Sequence, residues 1–119
     1  MHLDGFIIPV PEGKRDAYLD MAKWFDQAMI DLGALHVVEG WETDVPDGKR
    51  TDFRKAVQAE PGEKIVFSWI LWPDKTIADA AHEAIHEDDR FKAMSDMPFD
   101  GRRMIFGSFE PILNLERNA

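Results

Sequence analysis

One nine-residue stretch constrains the fold of this chain more than any other. It runs from Lys64 to Trp72 and reads Lys-Ile-Val-Phe-Ser-Trp-Ile-Leu-Trp, a β-branched and aromatic composition that is typical of a strand. Alternate side chains of a strand point to opposite faces of its sheet, and here both sets are apolar apart from Lys64 and Ser68. The stretch therefore predicts a strand that is covered on both faces.

Three further strands and two helices are predicted around this strand. Apolar or alternating residues predict strands over 3–10, 35–44 and 103–109. Over 14–32 and 76–87, apolar residues recur at three- and four-residue steps, which is the period of an amphipathic helix. The acidic residues of the first helix, Asp26 among them, are predicted to lie largely off its apolar face.

Three segments between and after these elements are less regular. Thr51 is the predicted N-cap of a short helical piece over 52–56, with an irregular loop as the alternative. Residues 88–98 are predicted to form a loop or a short extra helical turn. The tail after Pro111 is predicted to add a short edge strand and then to fray. His2, beside the N-terminus, is predicted to be mobile.

The element order strand, helix, strand, strand, helix, strand predicts an α+β fold of the ferredoxin-like type, βαββαβ. Two right-handed crossovers place two helices on one face of an antiparallel sheet. We expect residues 1–119 to form a single α+β-barrel domain, because a chain of this length has room for one core.

Two helices leave the second face of such a sheet open. The predicted strands over 64–72 and 103–109 are apolar on both faces, so the open face would exceed the apolar patch that a soluble monomer normally exposes. We therefore predict a homodimer in which the sheet faces of two copies pack together.

Charge and composition exclude several classes of partner. The chain carries 14 Lys and Arg against 23 Asp and Glu, a formal charge of −9, which opposes binding to nucleic acid or to an anionic membrane surface. It has no cysteine, and it lacks both a membrane-length apolar run and a basic N-terminal signal. We expect a cytoplasmic protein without a nucleic-acid or membrane partner.

The second predicted helix contains a metal-binding pattern. His82-Glu83-Ala84-Ile85-His86 fits H-E-x-x-H, in which two imidazoles one turn apart bind Zn²⁺. The apolar stripe of this helix centres between Ala81 and Ala84, so both histidines are predicted at its flank or solvent side. No third ligand is indicated, although Glu110 lies at a plausible separation. We interpret the pattern as a solvated helix face and expect no metal, with a surface metal site as the alternative.

Aspartates and arginines gather near the predicted strand ends, and Ser68 interrupts an apolar strand. One interpretation is that Arg54 or Arg103 pairs with Asp52 or Asp100 and locks a loop, since a buried guanidinium needs a carboxylate partner. The other is recognition of an anion or carbonyl at the mouth of a pocket. For the tryptophans and methionines, three assignments stay open: the core, the dimer interface or the lining of a pocket. No nucleotide-binding or hydrolase motif is present.

Several stretches of the chain form a composite pattern: Val45-Pro46-Asp47-Gly48-Lys49 with Thr51-Asp52-Phe53-Arg54, Val66-Phe67-Ser68-Trp69-Ile70, and Met97-Pro98-Phe99-Asp100-Gly101 with Arg103-Met104-Ile105. In these stretches the chain resembles the small bacterial YbaA-like proteins, and the resemblance spans nearly its whole length. That family is a domain of unknown function, and the resemblance implies the fold of the dimeric α+β barrels. The H-E-x-x-H segment is not part of the family pattern, which further weakens the zinc interpretation.

The wider superfamily includes cofactor-independent monooxygenases, lactone isomerases and haem enzymes, so the fold does not fix a reaction. Its enzymes commonly use the space between helices and sheet. By that analogy the candidate pocket residues are Trp41, Asp44, Arg54, Ser68, Trp69 and Arg103, with no catalytic residue assigned and no cofactor expected. Some relatives carry a label linking them to signal-recognition RNA, but the charge of −9 argues against RNA binding by this chain.

Two hypotheses about function follow. The first is a protein that binds or transforms a small organic molecule, such as an aromatic or enolisable carbonyl compound, in the helix–sheet pocket. The second is a non-catalytic structural or regulatory dimer module in which the polar residues only hold loops. Whether the protein is an enzyme stays open at this point.

Overall fold

The computed structural model describes residues 1–89 and 97–117. Its main elements are β1 (His2–Pro11), α1 (Arg15–Asp31), β2 (His36–Trp41), α2 (Phe53–Ala56), β3 (Glu63–Trp72), α3 (Lys75–Glu87) and β4 (Ile105–Phe109). A 3-10 turn over Glu12–Lys14 leads from β1 into α1. Within the described ranges, no helix has the length and apolar character needed to cross a membrane.

The strands form one sheet in the order β2-β3-β1-β4, and each neighbouring pair is antiparallel. The two central strands are therefore β1 and β3, with Gly5 opposite Trp69. On the outer strands, Glu39 of β2 lies opposite Ser68, and Gly107 of β4 lies opposite Gly5. This arrangement confirms the predicted ferredoxin-like α+β fold.

The core lies between the sheet and helices α1 and α3. One cluster joins Met29 of α1 and Ala78 of α3 to Ile70 and Trp72 of β3. A second cluster packs residues of α1 against Ile8, Val10 and Val66 of the central strands. In β3, Val66, Ser68, Ile70 and Trp72 are buried and the residues between them are more exposed, so burial over 66–72 follows the two-residue period of a strand.

Gly33 is required at the junction between α1 and β2. Its φ of +117° belongs to the region that favours glycine, and a Cβ there would lie 2.7 Å from Ile77 Cγ2. The residue ends α1, as its position after the last apolar residue of the helix predicted. It also lets the chain turn close against α3.

The face of the sheet opposite the helices is apolar. Leu3, Ile7, Phe67, Trp69, Leu71, Ile105 and Phe109 line a broad concavity of about 500 Å³ on this face, together with Pro111 and Leu113 from the segment after β4. Phe67 is 50% exposed and Phe109 is 59% exposed. We call this surface the open face.

Two boundaries differ from the predicted ones for reasons that the structure makes clear. The strand β2 ends at Trp41 rather than at 44. The Glu42 N–H still donates to the Ile65 carbonyl at 2.9 Å, but the Ile65 N–H donates to the Glu42 carboxylate at 2.7 Å, so a side chain replaces one of the two backbone bonds of this pair. The helix α2 is capped by Asp52, and the prediction of Thr51 as N-cap is wrong. Asp52 accepts the N–H groups of Lys55 and Gly48 at 2.7 and 2.9 Å, and so closes the preceding turn as well.

The end of the chain also differs from expectation. The strand β4 begins at Ile105 rather than at 103, since the Arg103 N–H closes a turn onto the Asp100 carbonyl at 3.2 Å. Over 110–117 the described chain forms no strand, so the predicted edge strand after Pro111 is wrong. Most of the segment predicted as a loop or helical turn over 88–98 lies outside the described residues.

Candidate functional site

A cavity of about 170 Å³ lies between α1 and the sheet. Its walls are largely apolar and come from α1, β1, β3 and the segment before β4: Phe6, Ile8, Met21, Ala22, Phe25, Ile70, Met97, Phe99 and Met104. Four polar side chains also line it, namely Tyr18, Asp26, Glu39 and Ser68. We call it the helix–sheet cavity.

The secondary structure explains how these polar side chains meet. Tyr18 and Asp26 are eight residues apart in α1, so they lie on one helix face together with Ala22. Glu39 and Ser68 are cross-strand partners and therefore project from the same face of the sheet. That face is the one that α1 covers.

Glu39 is the centre of a small hydrogen-bonded group. The Tyr18 hydroxyl donates to Glu39 Oε2 at 2.7 Å, and the Asp26 carboxyl is hydrogen-bonded to Glu39. Burial raises the pKa of Asp26, and the hydrogen bond and charge of Glu39 raise it further, to about 8. At neutral pH the Asp26 carboxyl therefore carries a proton and donates it toward Glu39.

The Tyr18 phenol is held in its protonated form. Its pKa is raised by burial and by the nearby Glu39 and Asp26 carboxyl groups. An ionised phenolate beside two carboxyls would be strongly disfavoured, so Tyr18 serves as a hydrogen-bond donor. Its ring also meets Phe99 edge to face, with centroids 5.9 Å apart.

Sequence reasoning missed Tyr18, Asp26 and Glu39 as site residues. Asp26 was expected largely off the apolar face of its helix, but it follows Ala22 by four residues and shares the side that lines the cavity. Glu39 is an acid between Val37 and Trp41 on one side of an alternating strand. An acidic residue inside an apolar period was the available signal in both cases.

Of the candidate pocket residues, Ser68 lines the helix–sheet cavity and is buried. Trp69 lines the open face instead, where its ring meets that of His36 with centroids 4.9 Å apart. Adjacent residues on a strand point to opposite sides of the sheet. The structure therefore separates these two candidates.

Trp41 is the last residue of β2 and Asp44 lies three residues beyond it, and neither side chain lines the helix–sheet cavity. Trp41 lines an adjoining hollow of about 90 Å³ with Tyr18 and Glu39, and the Arg15 guanidinium lies 5.6 Å from its ring centroid. Asp44 lines a separate surface hollow of about 210 Å³ that Trp41 also borders. Trp41 thus links the two hollows.

Arg54 and Arg103 both form ion pairs with glutamates of the chain. Arg54 pairs with Glu42, not with the expected Asp52, and donates to the Glu63 carbonyl at 2.9 Å. Arg103 binds Glu63 with two parallel hydrogen bonds of 2.7 Å and also contacts Asp100 at 3.2 Å. These contacts join β3 to the loops around it. They match the interpretation in which the arginines pair with carboxylates and lock loops.

A second polar cluster surrounds Asp4. The buried Asp4 carboxylate accepts hydrogen bonds from Trp72 Nε1 at 3.0 Å and Ser108 Oγ at 2.7 Å. The Nε2 atoms of His2 and His82 lie 3.2 and 2.7 Å from it. The prediction of a mobile His2 is wrong, because its contact with Asp4 leaves it 6% exposed.

This cluster occupies one end of the H-E-x-x-H pattern. The His82 Nε2 atom faces Asp4, while His86 is exposed. Over residues 1–89 and 97–117, no three His, Cys, Asp or Glu side chains are placed to hold a metal ion together.

The profile of a protein family described as a protein of unknown function, DUF1428, matches residues 1–101. The chain belongs to the DUF1428 family. It is 50% identical over 114 residues to the uncharacterized protein YbaA of Escherichia coli strain K12, a match that covers 95% of this chain and 97% of YbaA. The same figures hold for YbaA of Shigella flexneri. The resemblance to YbaA-like proteins is therefore confirmed.

Two solved structures share the fold of this DUF1428 chain. A dimeric ferredoxin-like protein from an uncultured marine organism superposes with a TM-score of 0.60 at 9% identity. An uncharacterized NIPSNAP domain protein from Burkholderia xenovorans superposes with a TM-score of 0.57 at 17% identity. Each alignment covers 98% of this chain and 100% of the other. At these identities the likeness shows the fold alone.

Proposed function

We propose that this DUF1428 protein is a homodimer that binds a small, uncharged organic molecule in the helix–sheet cavity. The observation that carries the proposal is an apolar cavity into which a few hydrogen-bonding groups converge, the usual character of a small-molecule site. The proposal keeps residues 1–119 as one α+β-barrel domain that acts in the cytoplasm, without a nucleic-acid or membrane partner.

The size of the cavity limits the ligand. An apolar cavity of about 150 Å³ holds benzene, and the helix–sheet cavity measures about 170 Å³. A molecule of about one six-membered ring fits this space. The aromatic and methionine side chains of the wall favour a flat or flexible apolar body.

The charge of the site limits the ligand further. The Glu39 carboxylate lines the cavity, and the whole chain carries a formal charge of −9. An anion would enter against both the local and the overall charge. A neutral molecule with a polar group that reaches Asp26 or Glu39 fits best.

A second copy of the chain is the proposed partner of the open face. The aromatic side chains exposed there form a broader apolar surface than an isolated soluble chain normally shows. A solved structure with this fold is described as dimeric. Pairing of two sheet faces would remove Phe67 and Phe109 from water.

A screen of small cyclic molecules tests ligand binding. We expect benzene, cyclohexanone or indole to raise the melting temperature of the wild-type protein by mass action and to show saturation transfer in ligand-observed NMR. Ala22→Met extends a flexible side chain into the cavity and should weaken binding at least about tenfold, since it fills the space that the ligand needs. Ala17→Met, at an exposed position of the same helix, should bind as the wild type does.

Binding that Ala22→Met leaves unchanged would place the ligand elsewhere and refute the cavity assignment. The absence of binding by every compound would favour the second candidate function, a structural or regulatory dimer module. The observation that supports this alternative is the commitment of Arg54 and Arg103 to ion pairs that hold loops.

A further inference from the structure

The helix–sheet cavity brings two carboxyl groups together from separate elements. Asp26 comes from α1 and Glu39 from β2, and both line the same apolar space. Two carboxyls in contact cannot both be ionised without strong repulsion. They therefore hold a proton between them, with Asp26 as its carrier near neutral pH.

The surroundings of this pair set its acid–base behaviour. Among the described residues that line the cavity, Tyr18, Asp26 and Glu39 are the titratable ones, and Arg15 lies in the adjoining hollow that Glu39 also borders. The raised pKa of Asp26, about 8, lies near neutral pH, where an acid–base group works best.

We propose that Asp26 and Glu39 form an acid–base site that moves a proton on an uncharged carbonyl compound bound in the helix–sheet cavity. This inference rests on the proposed function, because it requires a ligand in that cavity. The substrate class is a ketone or aldehyde of about one ring, with a hydrogen on the carbon next to its carbonyl.

The proposed step balances without a cofactor. The Glu39 carboxylate removes a proton from the carbon next to the carbonyl, and the electrons of that C–H bond form a carbon–carbon double bond. The carbonyl π electrons move to the oxygen, which takes the proton of the Asp26 carboxyl. The product is the enol, and the pair still holds one proton, now on Glu39. The reverse step restores the ketone.

Tyr18 is a positioning residue in this scheme. Its hydroxyl donates to Glu39 Oε2 at 2.7 Å and fixes the orientation of that carboxylate. Tyr18→Phe should slow the reaction less than the loss of either carboxyl and should shift the pH dependence of the reaction. Its effect on ligand affinity should be small, because the hydroxyl is already bonded to Glu39.

Hydrogen–deuterium exchange of cyclohexanone in heavy water tests the proposal with the full-length protein. Proton NMR follows the loss of the signal next to the carbonyl, and saturation transfer reports binding in the same sample. We expect the wild type to exceed the buffer rate, and Asp26→Asn and Glu39→Gln to lose about 100-fold or more of that excess. The protein-dependent rate should fall as the pH rises through about 8, where Asp26 loses its proton.

The controls separate chemistry from binding and from folding. Asp20→Asn, at an exposed acid of the same helix, should exchange cyclohexanone as the wild type does. Benzene should bind without any reaction, and thermal melts verify that each variant is folded. The two carboxyl variants lie on different elements, so a folding defect in one leaves the other as the test.

Each outcome decides between the two proposals. Exchange that is lost in both carboxyl variants while binding persists supports the acid–base site. Binding of cyclohexanone with exchange at the buffer rate, or with unchanged exchange in both variants, overturns the acid–base site and leaves the binding function standing. Binding of benzene without cyclohexanone overturns the carbonyl assignment alone. Binding of neither overturns both.

Discussion

Asp4 is buried and Asp26 is half-buried, yet their pKa values shift in opposite directions because their hydrogen-bond partners differ. Burial alone raises the pKa of both groups. Around Asp4, hydrogen bonds from Ser108, His82 and Trp72 favour the ionised form and outweigh burial, so its pKa lies below the ordinary 3.8. Around Asp26, a second carboxyl adds to burial. The hydrogen-bond partner, rather than the residue type, decides whether the pKa of the aspartate is raised or lowered.

Asp4 should therefore contribute stability that depends on pH. Its folded-state pKa is lowered, so the unfolded chain binds more protons, and the contribution is lost as the pH falls below about 4. Asp4→Asn should lower the free energy of unfolding at pH 7 by about 2 kcal/mol, because an amide places N–H groups against donors. Urea denaturation between pH 3 and pH 7, the range in which carboxyl groups titrate, tests this expectation. The free energy of unfolding of Asp4→Asn should depend less steeply on pH than that of the wild type.

Asp16→Asn, at an exposed position, is the matched control and should follow the wild-type pH dependence closely. Other carboxyls with lowered pKa values, such as Glu63 and Asp52, leave part of the acid sensitivity in every variant. A variant Asp4→Asn with wild-type stability at neutral pH would contradict the assigned role of this carboxylate.

At the scale of elements, one guanidinium connects three pieces of chain. Arg103, just before β4, bonds to Glu63 at the start of β3, to Asp100, and to the Gln58 carbonyl at 2.9 Å. The Glu63 side chain is buried, so its charge needs this partner. The pairing also holds the pKa of Glu63 below its usual range.

Arg103→Met should lower the free energy of unfolding by about 2 kcal/mol, because it leaves the Glu63 carboxylate buried without its guanidinium. Arg102→Met is a close control, since the Arg102 side chain is 92% exposed and its pairing with Asp100 should matter little. Chemical denaturation measures both variants. Equal stability of the two would show that Arg103 does not hold the loops together.

The element boundaries show which local features sequence could predict. The main strands and helices follow from apolar periodicity, which depends on neighbours within a few residues. The end of β2 at Trp41, three residues before the predicted end, could not be predicted from this periodicity. It depends on Glu42, the residue just after β2, whose side chain accepts the backbone N–H of Ile65 in β3, 23 residues away in sequence. Likewise, the partner of Arg54 proved to be Glu42 rather than the nearby Asp52.

At the scale of the whole molecule, the proposed dimer makes a direct prediction. Light scattering at micromolar concentration should give twice the 13.6 kDa of one chain. Phe67→Glu should shift the protein to the monomer, because it places a charge in the middle of the open face. Ile30→Glu, at an exposed apolar position of α1, should remain dimeric. A wild-type monomer, or a dimer that Phe67→Glu leaves intact, would contradict the proposed interface.

The sequence by itself determined the ferredoxin-like fold, the apolar character of both sheet faces and the YbaA-like family. These properties can be read from local periodicity and from sequence motifs, and neither requires knowledge of the tertiary contacts. Only the tertiary structure placed Asp26 beside Glu39, put Ser68 and Trp69 into different environments and enclosed His2 against Asp4. The physical reason is that the behaviour of a carboxyl depends on the groups that burial brings within hydrogen-bonding distance. Those groups come from other elements of the chain.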